Sequence, residues 1–227
     1  MSILCIICAR KGSKGVKNKA LKLIKNKPLI YFTIKQALRS KVFDEVVVST
    51  DSKKIQKIAL NFGAKSWFLR PKKLSKDNTS KLLAIKHAFK ESEKFFKKKY
   101  DICFDLDLTS PLRNIRDIKK ALKIFNNEKA NNLFSVTHSK KNPYFNIVEK
   151  KNNTYVLSKR TPKEYFSRQK VPKVYEMNAS IYIFRREFLK KNSSIFNSKT
   201  SVYLMPRERS LDIDDLFDLK IVKNIIK

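Results

Sequence analysis

Apolar and polar residues alternate in blocks along the first half of the chain, and each block predicts one element of a layered fold. The apolar runs at residues 3–8 and 45–51 are typical of strands that are buried on both faces of a parallel sheet. Between them, apolar residues at helical spacing predict a helix from Leu29 to about Leu38, with Pro28 in its first turn. The order strand, helix, strand predicts a parallel β-α-β unit.

The same alternation continues toward the middle of the chain. Asp51 or Ser52 can cap a second helix that Gly63 ends, and residues 64–69 predict a third strand. A long helix at about 79–99 leads into a fourth strand at 101–107. We therefore expect the α/β class, with a doubly wound, mostly parallel, Rossmann-like sheet whose ligands bind at the carboxyl edge of the strands.

The pattern changes after Leu133. Residues 145–149 and 154–158 predict paired strands around a turn at 151–153, and residues 179–184 predict a return to the core sheet. We expect one folding unit over residues 1–227, with a small inserted β-containing lobe at about 140–175.

Composition adds a strong positive charge to this picture. The chain has 227 residues, of which 42% are hydrophobic, and a formal net charge of +32. Such a surplus attracts polyanions of any kind, so it does not choose among nucleic acid, nucleotides and acidic sugars. Arg10 ends the first apolar segment far short of the ~20 residues of a membrane span, and no basic region precedes it. This segment therefore predicts neither a signal peptide nor a membrane anchor.

The cysteines and histidines predict no chemistry. Cys5, Cys8 and Cys103 lie in apolar strand patterns without a second cysteine pair or a histidine cluster, which favours buried thiols in a reducing, cytoplasmic setting. His87 and His138 have no evident catalytic partner in the sequence.

The loop at residues 9–19 is the first candidate site. It follows a buried strand and is rich in cations, so its backbone N–H groups and its basic side chains converge where a polyphosphate would sit. Gly12 and Gly15 permit a tight backbone path, but their spacing is not that of a Walker loop. A solvated basic turn is the alternative interpretation.

A set of motifs in a fixed order makes the sequence recognisable. The set comprises A-R-x-G-S-K-G after the first strand, then Lys27-Pro-Leu-Ile, Val48-Ser-Thr-Asp51, Arg70-Pro71 with Asp77 and Ser80, Thr109-Ser-Pro-Leu-Arg113, Arg168-Gln169, Asn178-Ala-Ser-Ile-Tyr182 and Asp212-Ile-Asp214. Together they resemble the acylneuraminate cytidylyltransferases, and most of all the bacterial CMP-legionaminic acid synthetases. The resemblance covers most of the chain.

This resemblance implies a reaction and a nucleotide site. Enzymes of the family transfer CMP from CTP to the anomeric hydroxyl of a nine-carbon 2-keto sugar acid and release pyrophosphate. Carried over motif by motif, the nucleotide-binding residues are Arg10, Ser13, Lys14, Lys19, Arg70 and Ser80. Arg10 and Lys14, together with Asp214, are the expected catalytic residues. Ala20 stands where the family commonly has Asn after the lysine.

The pair Asp212 and Asp214 is the expected metal site. On an extended chain, side chains two residues apart share one face at a separation of about 7 Å, so two carboxylates can bracket one hard cation. Mg²⁺ (or Mn²⁺) takes one or two carboxylates and completes its shell with water and phosphate, as the resemblance also implies. Helix N-capping by Asp214 is the alternative and is compatible with a metal role.

The expected sugar site also follows the family motifs, and its residues are Asp107, Thr109, Ser110, Arg168, Gln169 and Asn178. The planar fork of Arg168 suits the carboxylate of the sugar acid. Asp107 replaces the Gln that is usual in sialic acid synthetases, and with residues 142–146 and Glu176 it favours a legionaminic-type acid. Asp107 is also a candidate for the metal shell or the general base, and an exposed strand-end Asp is the plain alternative.

Two other functions stay open at this point. One is another sugar nucleotidyltransferase of the same fold, such as CMP-3-deoxy-octulosonate synthetase, against which the sugar motifs argue. The other is a non-catalytic protein that binds nucleic acid, against which the scattered lysines argue. The expected partners are CTP, a nonulosonic acid and, by resemblance, a second copy in a homodimer. Neither a membrane nor, despite the charge, nucleic acid is expected as a partner.

Overall fold

A mixed six-stranded sheet forms the centre of the fold. The computed structural model describes residues 1–162, 165–167 and 169–226. In spatial order the strands are β10 (Thr200–Leu204), β6 (Asn132–His138), β9 (Tyr175–Arg185), β5 (Ile102–Leu106), β1 (Ile3–Cys8) and β4 (Glu45–Ser49). Strand β9 runs antiparallel to both of its neighbours, and the other pairings are parallel. The predicted α/β class with a mostly parallel sheet is confirmed.

Helices cover both faces of this sheet, and they are α1 (Leu29–Ser40), α2 (Lys53–Asn61), α3 (Lys81–Phe96), α4 (Ile115–Asn127), α5 (Arg186–Lys191) and α6 (Leu216–Ile225). Alternate residues of β1 enter two separate cores. Cys5 packs with α1, α2, α4 and α6, whereas Leu4 and Ile6 pack with α3 and α5. A strand that is buried on both faces has no polar face, which explains why its sequence is a continuous apolar run.

The predicted starts and ends of the early helices agree closely with the structure. Pro28 stands directly before α1, and the Ser52 hydroxyl caps α2 by accepting from the Ile55 N–H. Gly63 follows α2 with a φ of +94°, a conformation that glycine adopts without strain.

The predicted third strand at 64–69 is wrong. Only Lys65 forms a ladder contact, as a single parallel bridge with Val47. The Ser66 hydroxyl then donates to the Val48 carbonyl at 2.9 Å, which occupies the acceptor that the next ladder bond would need. Trp67 and Phe68 leave the sheet edge and join an aromatic cluster with Phe95 and Phe96 of α3.

Short antiparallel pairs lie outside the main sheet. Strands β2 (Leu23–Ile24) and β3 (Lys27–Pro28) form a small ribbon before α1. Strands β7 (Val148–Lys151) and β8 (Thr154–Leu157) form a separate hairpin at the position of the expected lobe. A role of this lobe in dimerisation stays a prediction. In the part of the chain that the structure describes, no helix has the length and apolar character needed to cross a membrane.

The buried side chain of Arg113 connects the end of β5 to its neighbouring strand β9. It donates hydrogen bonds to the Ser180 carbonyl at 2.6 Å, to the Asp107 carbonyl, and to Thr33 and Gln36 on α1. The guanidinium therefore fixes β5, β9 and α1 to one another just below the carboxyl end of β5. Burial lowers the pKa of Arg113 to about 10, so the group keeps its charge at neutral pH.

We predict that Arg113→Met destabilises the fold strongly. The apolar side chain leaves several buried acceptors without donors, which costs about 3 kcal/mol or more. Thermal unfolding should show a Tm that is lower by about 6 °C or more. The control is Arg116→Met, because Arg116 is exposed and close in sequence; equal melting temperatures for the two variants would contradict the structural role of Arg113.

Candidate active site

A cavity of about 390 Å³ opens at the carboxyl ends of β1 and β5. The loop after β1, the end of β5, the start of α3 and the segment before α6 surround it. Its lining includes Arg10, Ser13, Lys14, Gly15, Lys19, Arg70, Asp77, Ser80, Lys81, Asp107, Thr109 and Asp214. The six residues predicted to bind nucleotide are all among them, although their contact with CTP stays a prediction.

Gly15 brings the basic loop against the segment that carries the two aspartates predicted to bind a metal. A Cβ at position 15 would lie 1.9 Å from the Asp214 carbonyl oxygen, so only glycine fits this approach. Lys19 strengthens the same contact, because its ammonium donates to the Ile213 carbonyl and lies 3.6 Å from the Asp214 carboxylate. By contrast, a Cβ at Gly12 would have no neighbour within 4 Å. Close packing thus explains Gly15 but not Gly12.

Two cations of the loop meet one carboxylate across the cavity. Arg10 and Lys14 approach the Asp77 oxygens at 2.8 and 3.0 Å. The hydrogen bond from Lys14 lowers the pKa of Asp77 below its usual value. These groups are substantially exposed, so the pairing is weak and a polyphosphate can replace Asp77 as the partner of both cations.

Arg70 and Ser80 have structural partners as well as a place in the cavity wall. Arg70 is buried and donates from Nη2 to the Ser49 carbonyl at 3.0 Å. The Ser80 hydroxyl caps α3 by accepting from the Leu82 N–H at 3.3 Å. Both side chains are therefore held in position before any ligand arrives.

Lys81 and Asp105 form a charged group that the sequence interpretation missed. The Lys81 ammonium lies 2.5 Å from Asp105 and 2.6 Å from Asp107. Asp105 is fully buried, and burial raises the pKa of its carboxyl. The signal in the sequence was the spacing of the two aspartates, since side chains two residues apart on an extended chain lie on the same face. A buried carboxylate in such a strand requires a cation, and the first turn of α3 supplies it.

Asp212 and Asp214 differ sharply in their surroundings. The Asp214 side chain is 81% exposed and borders the cavity. Asp212 is partly buried, and its Oδ1 atom is buried and has no hydrogen-bond partner. Burial and then the charges of Asp107 and Asp214 raise the pKa of Asp212 to about 6, although the Thr109 hydroxyl and Lys19 oppose the shift. Carboxylates crowded in this way with an orphaned oxygen fit a divalent cation.

The proposed capping role of Asp214 is wrong. Asp215 is the residue that caps α6, because its carboxylate accepts from the Phe217 and Asp218 N–H groups.

Among the described residues, His, Cys, Asp and Glu form no group of three or more in an arrangement that could hold a metal. Mg²⁺ is suited to such a site, since it keeps several water ligands and takes others from phosphate.

The predicted sugar residues separate into three sets. Asp107 and Thr109 line the cavity, and the Thr109 N–H and hydroxyl both donate to Asp107 Oδ1. Ser110 and Asn178 are buried outside its lining: Asn178 accepts from the Ser135 hydroxyl at 2.6 Å and donates to Ser210. Gln169 is exposed, and Arg168 lies outside the described residues.

The thiols of the central strands stay inert in this setting. Cys5 and Cys103 are buried, and Cys8 is partly buried at the cavity wall. Burial raises the pKa of Cys8 to about 12, so the thiolate does not form at neutral pH.

Comparison with known proteins identifies the family. The sequence profile described as "Cytidylyltransferase" matches residues 4–220. The chain is a member of the cytidylyltransferase family. One relative, the "CMP-N,N'-diacetyllegionaminic acid synthase" of Campylobacter jejuni, is 44% identical to this cytidylyltransferase over 99% of the chain and 94% of the relative. Another, the "Post-translational flagellin modification protein B" of Campylobacter coli, is 43% identical over 99% and 95%.

A solved structure supports the fold of this cytidylyltransferase. It is that of a CMP:2-keto-3-deoxy-manno-octonic acid synthetase complexed with CTP, which superposes with a TM-score of 0.71 at 19% identity. It covers 100% of this chain and 98% of the other.

We predict that Gly15→Ala weakens nucleotide binding. The added methyl group collides with the Asp214 carbonyl, and relief of such overpacking costs about 1–3 kcal/mol. Calorimetric titration should show an affinity for CTP about tenfold lower, and the Tm should fall. Gly12→Ala should keep the wild-type Tm, since its Cβ meets open space. A Gly15→Ala protein with unchanged Tm and unchanged CTP affinity would disprove the close approach.

We also predict that Asp212→Asn raises the Tm of the metal-free protein at pH 8. The folded-state pKa of Asp212, about 6, lies above the unfolded value, so stability is lost as the pH rises from the unfolded pKa to the folded pKa, and the loss is complete above pH 6. The amide removes this repulsion. The gain should be about 2 °C or more at pH 8 and should disappear near pH 4, where the carboxyl of the wild-type folded protein is protonated. A Tm difference that does not vary with pH would count against the crowding of these carboxylates.

Proposed function

We propose that this cytidylyltransferase transfers CMP from CTP to the anomeric hydroxyl of a nine-carbon 2-keto sugar acid of the legionaminic or sialic type. The observation that carries the proposal is the meeting, in one cavity, of the basic loop after β1 with the Asp212 to Asp214 segment. The 44% identity to the synthase of CMP-N,N'-diacetyllegionaminic acid, over nearly the full length of both chains, supports the choice of substrates.

The basic loop acts on the triphosphate. In the reaction, the anomeric hydroxyl oxygen of the sugar forms a bond to the α-phosphorus while the bond to the pyrophosphate oxygen breaks, and the hydroxyl proton is released to solvent. Arg10 and Lys14 leave Asp77 and donate to the phosphates, where they stabilise charge on the leaving pyrophosphate. Lys19 holds the loop to the Asp214 segment and adds a third positive charge. Placement of the two reactants together removes much of the entropic barrier.

Asp212 and Asp214 are the residues that would hold Mg²⁺ or Mn²⁺. When bound, the metal neutralises phosphate charge and orients the triphosphate. The unpartnered Oδ1 of Asp212 and the exposed carboxylate of Asp214 are both available as ligands.

Asp107 and Thr109 form the side of the cavity assigned to the sugar acid. We propose that Arg168 and Gln169 of the inserted lobe complete the sugar site and bind its carboxylate, with Ser110 and Asn178 supporting the wall from within. We also propose a cytoplasmic homodimer, in line with the family, in which the lobe of one subunit lies near the site of the other.

The direct test measures pyrophosphate release from each of CTP, GTP, UTP and ATP with a panel of sugar acids. The panel contains legionaminic, N-acetylneuraminic, pseudaminic and 3-deoxy-octulosonic acids. We expect turnover with CTP and Mg²⁺ and with a nine-carbon acid, the legionaminic acid foremost. If CTP is inert with every nonulosonic acid, the proposed function is wrong.

A pair of variants tests the catalytic aspartate. Asp214→Ala should lower kcat by about 100-fold or more, because it removes a metal ligand next to the reacting phosphate. Asp215→Asn is the matched control, since Asn also caps helices well and Asp215 holds only α6. Full Mg²⁺-dependent turnover by Asp214→Ala would overturn the metal assignment.

A further inference from the structure

Lys81 stands on the boundary between two cavities. One is the cavity with the basic loop, and the other, of about 360 Å³, is lined mainly by apolar and aromatic side chains, including Tyr182, Phe184 and Phe196. The ammonium lies 5.2 Å from the centre of the Tyr182 ring. Lys81 therefore lies at the β9 side of the site, while the phosphate-binding cations follow β1.

The positive charge of Lys81 is compensated by its neighbours, so Lys81 attracts an anionic ligand group only weakly. Its single positive charge is shared by two carboxylates, those of Asp105 and Asp107, at 2.5 and 2.6 Å. With the buried Arg113, whose charge also acts on both carboxylates, the group has no net charge, so it does not attract a phosphate or a second carboxylate. A neutral polar group is the ligand that this cluster favours.

Unused hydrogen-bonding positions remain on two adjacent atoms. An ammonium has three N–H donors: Lys81 donates one to Asp107, and its ion pair with Asp105 engages a second, which leaves a third. Asp107 Oδ1 already accepts twice, from the Thr109 N–H and hydroxyl, whereas Oδ2 accepts from Lys81 alone. One donor on Lys81 and one acceptor site on Asp107 thus lie side by side. A hydroxyl group satisfies both, because its oxygen accepts while its proton is donated.

Resting on the function proposed above, we propose that Lys81 and Asp107 together bind one hydroxyl group of the sugar acid and determine specificity for it. Asp105 is the positioning residue for this pair. It is fully buried inside β5 and cannot touch a ligand, and it holds the Lys81 ammonium at the height of Asp107.

The legionaminic and sialic acids share free hydroxyls at C4 and C8, apart from the anomeric one. The test measures kcat/KM at saturating CTP for N-acetylneuraminic acid and for its 4-deoxy and 8-deoxy analogues. Wild-type protein should use one of the two analogues about 100-fold less well, because the analogue leaves a buried donor and acceptor without partners.

Lys81→Met should lose that discrimination, so that its kcat/KM values for N-acetylneuraminic acid and for the analogue differ by no more than about threefold. Its KM for CTP should stay within about twofold of the wild-type value. Asp105→Asn should weaken the same discrimination, and the double variant should be no worse than Lys81→Met, since both changes act through one contact. Lys81→Arg should restore part of the preference. Lys90→Met is the matched control, because Lys90 is exposed on the same helix. If Asp105→Asn fails to fold, Lys81→Met with Asp105→Leu replaces the buried pair by apolar groups.

The outcomes separate this inference from the proposed function. Turnover of N-acetylneuraminic acid with equal use of both deoxy analogues contradicts the inference alone. So does a Lys81→Met protein that discriminates as the wild type does, or one whose only change is a raised KM for CTP. Absence of turnover with CTP and every nonulosonic acid contradicts the proposed function and the inference together.

Discussion

A buried carboxylate requires a compensating cation, and the contact between Asp105 and Lys81 meets this requirement at the centre of the site. Asp105 belongs to a strand that is buried on both faces, where an unpaired charge would oppose folding strongly. Lys81 reaches it from the first turn of α3, which fixes the start of that helix over the carboxyl end of β5. Further along α3, apolar side chains pack directly on the sheet, so this polar contact and the cavity beside it lie at the helix start.

Pairs of opposite charges lie on both sides of the cavity. Asp107 shares Lys81 with Asp105, while Asp214 lies near Lys19 on the other side. Asp212, between them, lacks a sufficient partner, and its raised pKa reflects this deficit. The folded protein tolerates repulsion here that a bound cation would relieve. Such local instability is common at functional sites, because the groups that bind a ligand cannot all be satisfied without it.

Much of the fold follows from local signals in the sequence. Some features depend only on nearby residues, so the local sequence pattern is sufficient to predict them. They are the apolar runs of β1 and β4, the cap at Ser52 and the turn at Gly63. The prediction of a strand at 64–69 failed because the Ser66 hydroxyl donates to the Val48 carbonyl, which is the acceptor that the next ladder hydrogen bond would need. Local residue propensities favour a strand for the segments that form one and also for the segment at 64–69 that does not, so they cannot tell the two apart.

The candidate site likewise contains residues that the sequence motifs predicted and one, Lys81, that they did not. The six residues that the family motifs predicted to bind nucleotide all line one cavity, although their contact with CTP stays a prediction. Lys81 was missed because its partner Asp105 is 24 positions away along the chain and meets it only through the packing of α3 on the sheet. The most direct test of the account is a crystal structure with CTP and Mn²⁺, in which anomalous scattering locates the metal. We predict Mn²⁺ bound to Asp212 and Asp214, with the triphosphate on Arg10 and Lys14. A metal or triphosphate bound away from these residues would contradict it.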